Sequence, residues 1–120
     1  MAIIPGKKNF TVDRRADFPI RLTFKDSTGS AINLNGFTVA AQVYNEDRSE
    51  KFADWTVAYT DRTNGIVDIS LSDTDTTNFT PSILFYDVLL TDPSGNKNYY
   101  LEGKLFISEG YTAWAILTKL

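Results

Sequence analysis

The side chains in this sequence that could do chemistry are carboxylates and aromatic rings. Asp73, Asp75 and Asn78 alternate within the polar stretch SDTDTTNFT, and short oxygen-bearing side chains at alternate positions supply some of the ligands Ca²⁺ needs. The EF-hand spacing is not met, because the central Gly and the distal Glu are both missing. Asp and Thr in such a stretch are also ordinary capping residues. Asp54, Asp68, Asp87 and Glu102 are the carboxylates from which a glycoside-hydrolysing pair would be drawn. No spacing selects two of them, and Asp68, Asp87 and Glu102 fall at outward strand positions, where acidic groups solvate a surface. Trp55, Tyr59, Tyr99, Tyr100 and Trp114 could stack on sugar rings. Aromatics that alternate along strands, however, are more often core or interface residues.

The residue types that are missing exclude more than those present suggest. The chain has no His and no Cys. That removes the usual general base, the commonest metal ligand, thiolate chemistry, disulfides and every His-containing triad. With no Gly-rich phosphate loop and no nucleophile elbow, the expectation is a protein without catalytic residues, metal or cofactor. The net charge is −3, and the 12 Lys and Arg do not form a run, so no basic footprint for nucleic acid exists. The start, MAIIPGKKNF, has no apolar core of a secretory signal, and no apolar run reaches membrane-spanning length. A soluble protein made in a cytoplasm is expected.

The elements that must position these groups are strands. Phe18, Ile20, Leu22 and Phe24 alternate with polar residues, and so do Phe37, Val39, Ala41 and Val43. Trp55, Val57 and Tyr59 follow the same pattern, as do Val67, Ile69 and Leu71; each run is a strand with one buried face. Pro19 puts the start of its strand at an edge or bulge. Lys8 to Val12 is a weaker edge strand, and Asn45 to Lys51 is a solvated loop. Ser72 to Thr80 predicts one helical turn capped by Ser72 or Asp73, with Phe79 closing the core beneath it. The clearest unit is Ser82 to Ser108, two strands joined by the turn Asp92-Pro93-Ser94-Gly95-Asn96. Pro93 presets φ there, and Gly95 supplies a positive φ. Leu84, Tyr86, Val88 and Leu90 share one face of the first strand; Tyr99, Leu101, Leu105 and Ile107 share one face of the second. About seven strands with one apolar face each require two packed sheets, so the predicted fold is an all-β antiparallel β-sandwich of immunoglobulin-like type. The chain, 1–120, is read as a single domain.

Two features exceed what that fold needs. Phe85, Leu89 and Phe106 lie on the reverse of the hairpin, where a half-buried strand would be polar. The tail YTAWAILTKL is apolar at six of its last eight positions, Trp114, Ile116 and Leu117 among them. Surplus apolar surface on a small domain usually has a partner. Phe85, Leu89, Phe106, Trp114, Ile116 and Leu117 are therefore the expected interface residues, and 1–7 and 112–120 the expected interface-forming termini.

The run DFPIRLTFKDSTGSAINLNGFTVAAQVY, followed by NGIVDISLSDTDT, LFYDVLLTDPSGN and LEGKLFIS, resembles the small β-sandwich domain of bacteriophage tail and baseplate proteins. The N-terminal domain of the siphophage baseplate upper protein is one example. The resemblance covers about Asp17 to Thr112. It implies a non-catalytic virion structural protein, assembled with copies of itself and with other phage tail proteins, and made in the host bacterial cytoplasm. No counterpart of the long helical portion that follows this domain in that family is seen here. The expected role is thus a tail, neck or fibre-associated subunit rather than a baseplate organiser. The alternative is a carbohydrate-binding module that attaches to a host glycan.

Overall fold

The computed structural model describes residues 6–110. Alternating strands dominate it: β1 (Gly6–Lys7), β2 (Phe10–Asp13), β3 (Phe18–Thr23), β4 (Thr38–Tyr44), β5 (Lys51–Asp54), β6 (Thr56–Asp61), β7 (Ile66–Leu71), β8 (Ile83–Thr91) and β9 (Lys97–Ser108), with one short helix, α1 (Asp73–Thr77), between β7 and β8. The larger sheet has the order β1-β9-β8-β4-β5, with β2 also on β9; the smaller has the order β3-β7-β6. The inward residues of both, among them Val43, Ile69, Leu84 and Leu105, fill one core together with Phe24 and Leu34 from the connection between β3 and β4. This is an immunoglobulin-like β-sandwich. No helix among the described residues is long and apolar enough to cross a membrane.

Nine strands arise from seven runs of chain because two runs are interrupted. β1 and β2 are one edge strand kinked at Lys8 and Asn9. β5 and β6 are one run that leaves the larger sheet and enters the smaller one at Trp55, whose N–H donates to the Ala41 carbonyl at 2.9 Å. The sheets are not wholly antiparallel: β1 and β2 pair parallel with β9. A parallel partner must arrive by a connection that crosses between sheets, and here the whole domain lies between the two strands. β3 is an edge strand, as Pro19 requires.

The hairpin turn forms as its residues dictate. The Asp92 carboxylate accepts the N–H groups of Ser94 and Asn96, at 2.9 and 2.8 Å, and Gly95 sits at φ 89°. The register of β8 on β9 shifts between Val88 and Leu89, so Tyr100 is an extra residue. That bulge corrects the predicted face of Tyr99. Tyr99 stands opposite Leu89 on the outer side, 50% exposed, and Tyr100 turns towards the other sheet. There the Tyr100 ring lies 4.3 Å from that of Phe24, and its hydroxyl accepts the Lys25 N–H at 3.1 Å.

Lys8 lies at a close approach of the edge strand to β9. Its carbonyl tilts out of the ladder, accepts the Tyr86 hydroxyl at 2.6 Å, and lies against Gly103. A Cβ on Gly103 would come within 1.9 Å of that oxygen and 2.7 Å of the carbonyl carbon. The Asn9 side chain restores pairing by accepting the Lys104 N–H at 2.9 Å. Gly103→Ala is expected to lower stability by about 1–3 kcal/mol through overpacking. Tyr86→Phe should cost about 0.5–1.5 kcal/mol by removing the hydrogen bond to that carbonyl. Because both disturb one kink, the double variant should lose less than the sum in urea denaturation; strict additivity would show the two sites to be independent.

Candidate functional site

The side of the larger sheet that faces away from the smaller one carries most of the residues singled out in the sequence. Cross-strand registers arrange them in rows. Ile83 stands opposite Phe106, beside Thr11 of the edge strand. The next row is Tyr44, Phe85 and Lys104, with the Lys104 ammonium 5.9 Å from the Phe85 ring. Then comes a row that is polar on every strand: Asp54, Gln42, Asp87, Glu102 and Lys7. Beyond it lie Ala40, Leu89 and Tyr99. Phe85, Leu89 and Phe106 thus share the outer face as read from the sequence. The polar row divides them, however, with Phe85 and Phe106 on one side and Leu89 on the other.

Sequence reasoning missed two members of this face. Ile83 is 42% exposed, next to Phe106 at 41%, and Tyr99 reaches the outer side only through the bulge. The signal for Ile83 was available, since it has the parity of Phe85 and Leu89. Trp114, Ile116 and Leu117 lie outside the described residues, as do residues 1–5 and 112–120 of the terminal segments; Gly6 and Lys7 form β1.

The polar row is hydrogen-bonded along much of its length. Gln42 Nε2 donates to Asp54 Oδ1 at 2.9 Å, and Lys51 Nζ lies 3.0 Å from the same carboxylate. Lys7 Nζ stands 3.9 Å from Glu102. Asp87 and Glu102 are direct cross-strand partners, an arrangement that is unfavourable for like charges. Burial pushes the Asp87 carboxyl upward, the Arg48 charge opposes this, and Glu102 adds to it. Arg48 comes from the loop between β4 and β5, at φ 61°, with its guanidinium 5.6 Å from the Tyr44 ring. Asp87, Glu102, Arg48, Tyr44 and Phe85 border a depression of about 210 Å³, and Phe85, Lys7, Asn9 and Lys104 border one of about 380 Å³. The first is smaller than pockets that enclose a small ligand, and the second falls near the low end of that range.

The other candidate groups are dispersed. Ser72 caps α1, and Asp75 completes the capping box by accepting the Ser72 N–H at 3.2 Å, while Asn78 is the C-cap. The three residues considered for Ca²⁺ therefore serve the helix or its flanks, and no group of three or more acidic residues with metal-holding geometry occurs among the described residues. Asp68 pairs with Arg21 through both oxygens, at 2.9 and 3.1 Å, on the smaller sheet. The Arg21 hydrogen bonds, and then that of Thr60, hold its carboxyl at about 2. Of the aromatic rings, Trp55 is buried, Tyr59 accepts the Val39 N–H and stacks 3.7 Å from Arg62, and Tyr100 packs on Phe24. Tyr99 alone of the described four stands on the outer face.

No family model matches the chain, and no curated protein sequence does either. Among solved structures it is similar to the crystal structure of the Lin-41 filamin domain, with a TM-score of 0.48 and 19% identity over 83% of this chain and 84% of that one.

Asp68 and Asp87 should mark the stability profile with opposite signs. The folded pKa of Asp68 is depressed, so its contribution is present above the unfolded value of about 3.9 and is lost as pH falls towards about 2. The folded pKa of Asp87 is raised, so ionising it costs stability, a cost that sets in as pH rises through that range. Thermal melts across the acid range should show Asp87→Asn more stable than the parent at neutral pH and equal to it at low pH. Asp68→Asn should be less stable at neutral pH, with the gap closing towards low pH. The same sign for both variants would contradict this assignment.

Proposed function

We propose that the chain is a non-catalytic assembly module of a bacteriophage particle, one that packs against copies of itself and against other tail proteins through the outer face of its larger sheet. The observation that carries the assembly reading is the pair of apolar patches on that face. Ile83, Phe85 and Phe106 lie on one side of the polar row and Leu89 and Tyr99 on the other, outside a core that is already complete. Apolar side chains grouped on a sheet surface and bordered by hydrogen-bonded polar groups are the ordinary anatomy of an interaction site. The virion setting, and synthesis in a bacterial cytoplasm, rest on the sequence resemblance alone. A non-enzymatic role is supported by a chain without His or Cys and by the site of Asp87 and Glu102: the fold sets these two candidate carboxylates side by side, but the depression they border, about 210 Å³, is smaller than pockets that enclose a small ligand.

The glycan-binding alternative has less behind it. A stacking platform needs several exposed rings in a row, and the rings of the described face are divided, with Tyr44, Phe85 and Phe106 on one side of the polar row and Tyr99 on the other. Light scattering after size-exclusion chromatography, over a wide concentration range, tests the assembly reading. The wild-type chain is expected to be larger than a monomer. Phe106→Glu, which puts a charge in the larger apolar patch, should shift the mass to that of a monomer with little change in melting temperature. A wild-type chain that stays monomeric at the highest concentration would remove the self-assembly part of the proposal.

A further inference from the structure

Two Asn-Gly pairs stand side by side at one end of the sandwich. Asn35-Gly36 lies in the connection before β4, and Asn64-Gly65 in the turn between β6 and β7. An asparagine followed by glycine can undergo a reaction that needs only water. The glycine backbone nitrogen attacks Asn Cγ, its proton passes to water, and ammonia leaves. The cyclic imide then takes up water at either carbonyl, giving an aspartyl or an isoaspartyl residue. Glycine favours the step because it has no Cβ to hinder the approach and its backbone turns freely. The two pairs share their surroundings. Asn35 and Asn64 are both exposed, the Leu34 N–H donates to the Arg62 carbonyl at 2.7 Å, and Asn35 Nδ2 lies 3.5 Å from Thr63 Oγ1. The attacking nitrogens, however, are held very differently.

Asn64-Gly65 is locked. The Gly65 N–H donates to the Arg62 carbonyl at 3.1 Å, and the Gly65 carbonyl accepts the Phe24 N–H at 2.8 Å. Gly65 is buried, and a Cβ there would come within 2.7 Å of the Ile32 carbonyl oxygen and 2.8 Å of that of Phe24. The peptide thus has no room to swing into an imide. Asn64 Nδ2 also donates to Asp61 Oδ2 at 2.8 Å, which fixes the side-chain amide. The Asp61 charge beside it opposes loss of a main-chain proton. Asn35-Gly36 lacks each of these restraints. Both residues are exposed. Their turn closes through the Phe37 N–H on the Leu34 carbonyl at 2.9 Å, which leaves the Gly36 N–H without an acceptor among the described residues. A Cβ on Gly36 would meet the Pro93 ring and no other described group within 4 Å. The 3.5 Å contact of the Asn35 amide with Thr63 is too long to fix it.

We infer that Asn35 is a site of spontaneous deamidation in the folded protein, that Asn64 is protected by its own turn, and that the isoaspartyl product loosens this end of the core. Arg62 Nη1 donates to the Leu34 carbonyl at 3.1 Å and to the Phe37 carbonyl at 2.8 Å, one on each side of the reacting pair. An isoaspartyl residue routes the main chain through Cβ and so adds one carbon between those two carbonyls. Leu34 is fully buried, and the Arg62 guanidinium is stacked 3.7 Å from the Tyr59 ring. Neither can follow the longer chain, and one of the two hydrogen bonds is lost. The aspartyl product keeps the original spacing and both bonds. None of this depends on the assembly reading.

Peptide mapping by mass spectrometry tests this on the full-length chain, held at physiological temperature and mildly alkaline pH and sampled over weeks. A parallel sample in concentrated urea removes the fold. In the folded chain Asn35 is expected to convert several-fold faster than Asn64; in urea the two should convert at comparable rates. The inference is overturned if Asn64 keeps pace with Asn35 in the folded chain, or if neither converts there while both do in urea. It is also overturned if the same preference for Asn35 persists in urea, since neighbouring residue types and not the two turns would then set it. Asn35→Gln should abolish the fast conversion without altering the melting temperature of fresh protein. The step through Arg62 is tested by comparing the purified isoaspartyl form with Asn35→Asp, which carries the same added charge on a main chain of normal length. Asn35→Asp should melt with the parent and the isoaspartyl form below it. Equal melting of those two forms would mean that the added carbon does not strain the Arg62 clamp.

Discussion

Four aromatic rings hold the two sheets in register. Phe10 of β2 meets Phe18 of β3 at 5.6 Å, Phe18 meets Trp55 at 6.0 Å, Trp55 meets Tyr86 of β8 at 5.8 Å, and Tyr86 returns to Phe10 at 5.8 Å. The cycle joins the edge strand, the smaller sheet, the point where the chain changes sheets, and the central strand of the larger sheet. Tilted and edge-on contacts of this kind add about 0.5–1.5 kcal/mol per pair beyond the area they bury. Its geometry also aims the Tyr86 hydroxyl at Lys8, so the kink of the edge strand depends on the same rings. The outer face depends on it in turn, because β8 and β9 present Phe85, Asp87 and Lys104 only while Tyr86 and Gly103 are fixed on the reverse.

Much of this was legible in local sequence. The Asp-Pro-Ser-Gly-Asn turn, the inward sets on β7 and β8, Ser72 as a cap and Phe79 as a plug all follow from neighbouring residue types. Three features were not. The bulge at Tyr100 leaves no mark, since two adjacent tyrosines fit a strand in either parity. The change of sheet at Trp55 is hidden because Trp55, Val57 and Tyr59 read as one unbroken alternation. The parallel pairing of β1 and β2 with β9 joins residues nearly a chain length apart, which no local pattern encodes.

The candidate site divides in the same way. That Phe85, Leu89 and Phe106 point away from the core could be counted off in twos. That Asp54, Gln42, Asp87, Glu102 and Lys7 form one row across five strands could not, because the row is a product of register rather than of any single segment. Its effect is to split an apolar surface that would otherwise accept a partner at several offsets. With charges of both signs along it, sliding a partner by one step puts an apolar side chain over a carboxylate.

The parallel edge has a mechanical consequence. β1 and β2 run alongside β9 in the same direction, so Gly6 and Gly110 leave the sandwich at opposite poles of one edge. Tension applied through the two ends would draw β2 and β9 past each other lengthwise. The four register pairs from Phe10 with Leu105 to Asp13 with Ser108 would then share the load together instead of opening one after another. Phe10 and Val12, seated in the core on that strand, would have to be dragged out at the same moment. The domain is built to resist being pulled along its length more strongly than being peeled from its side.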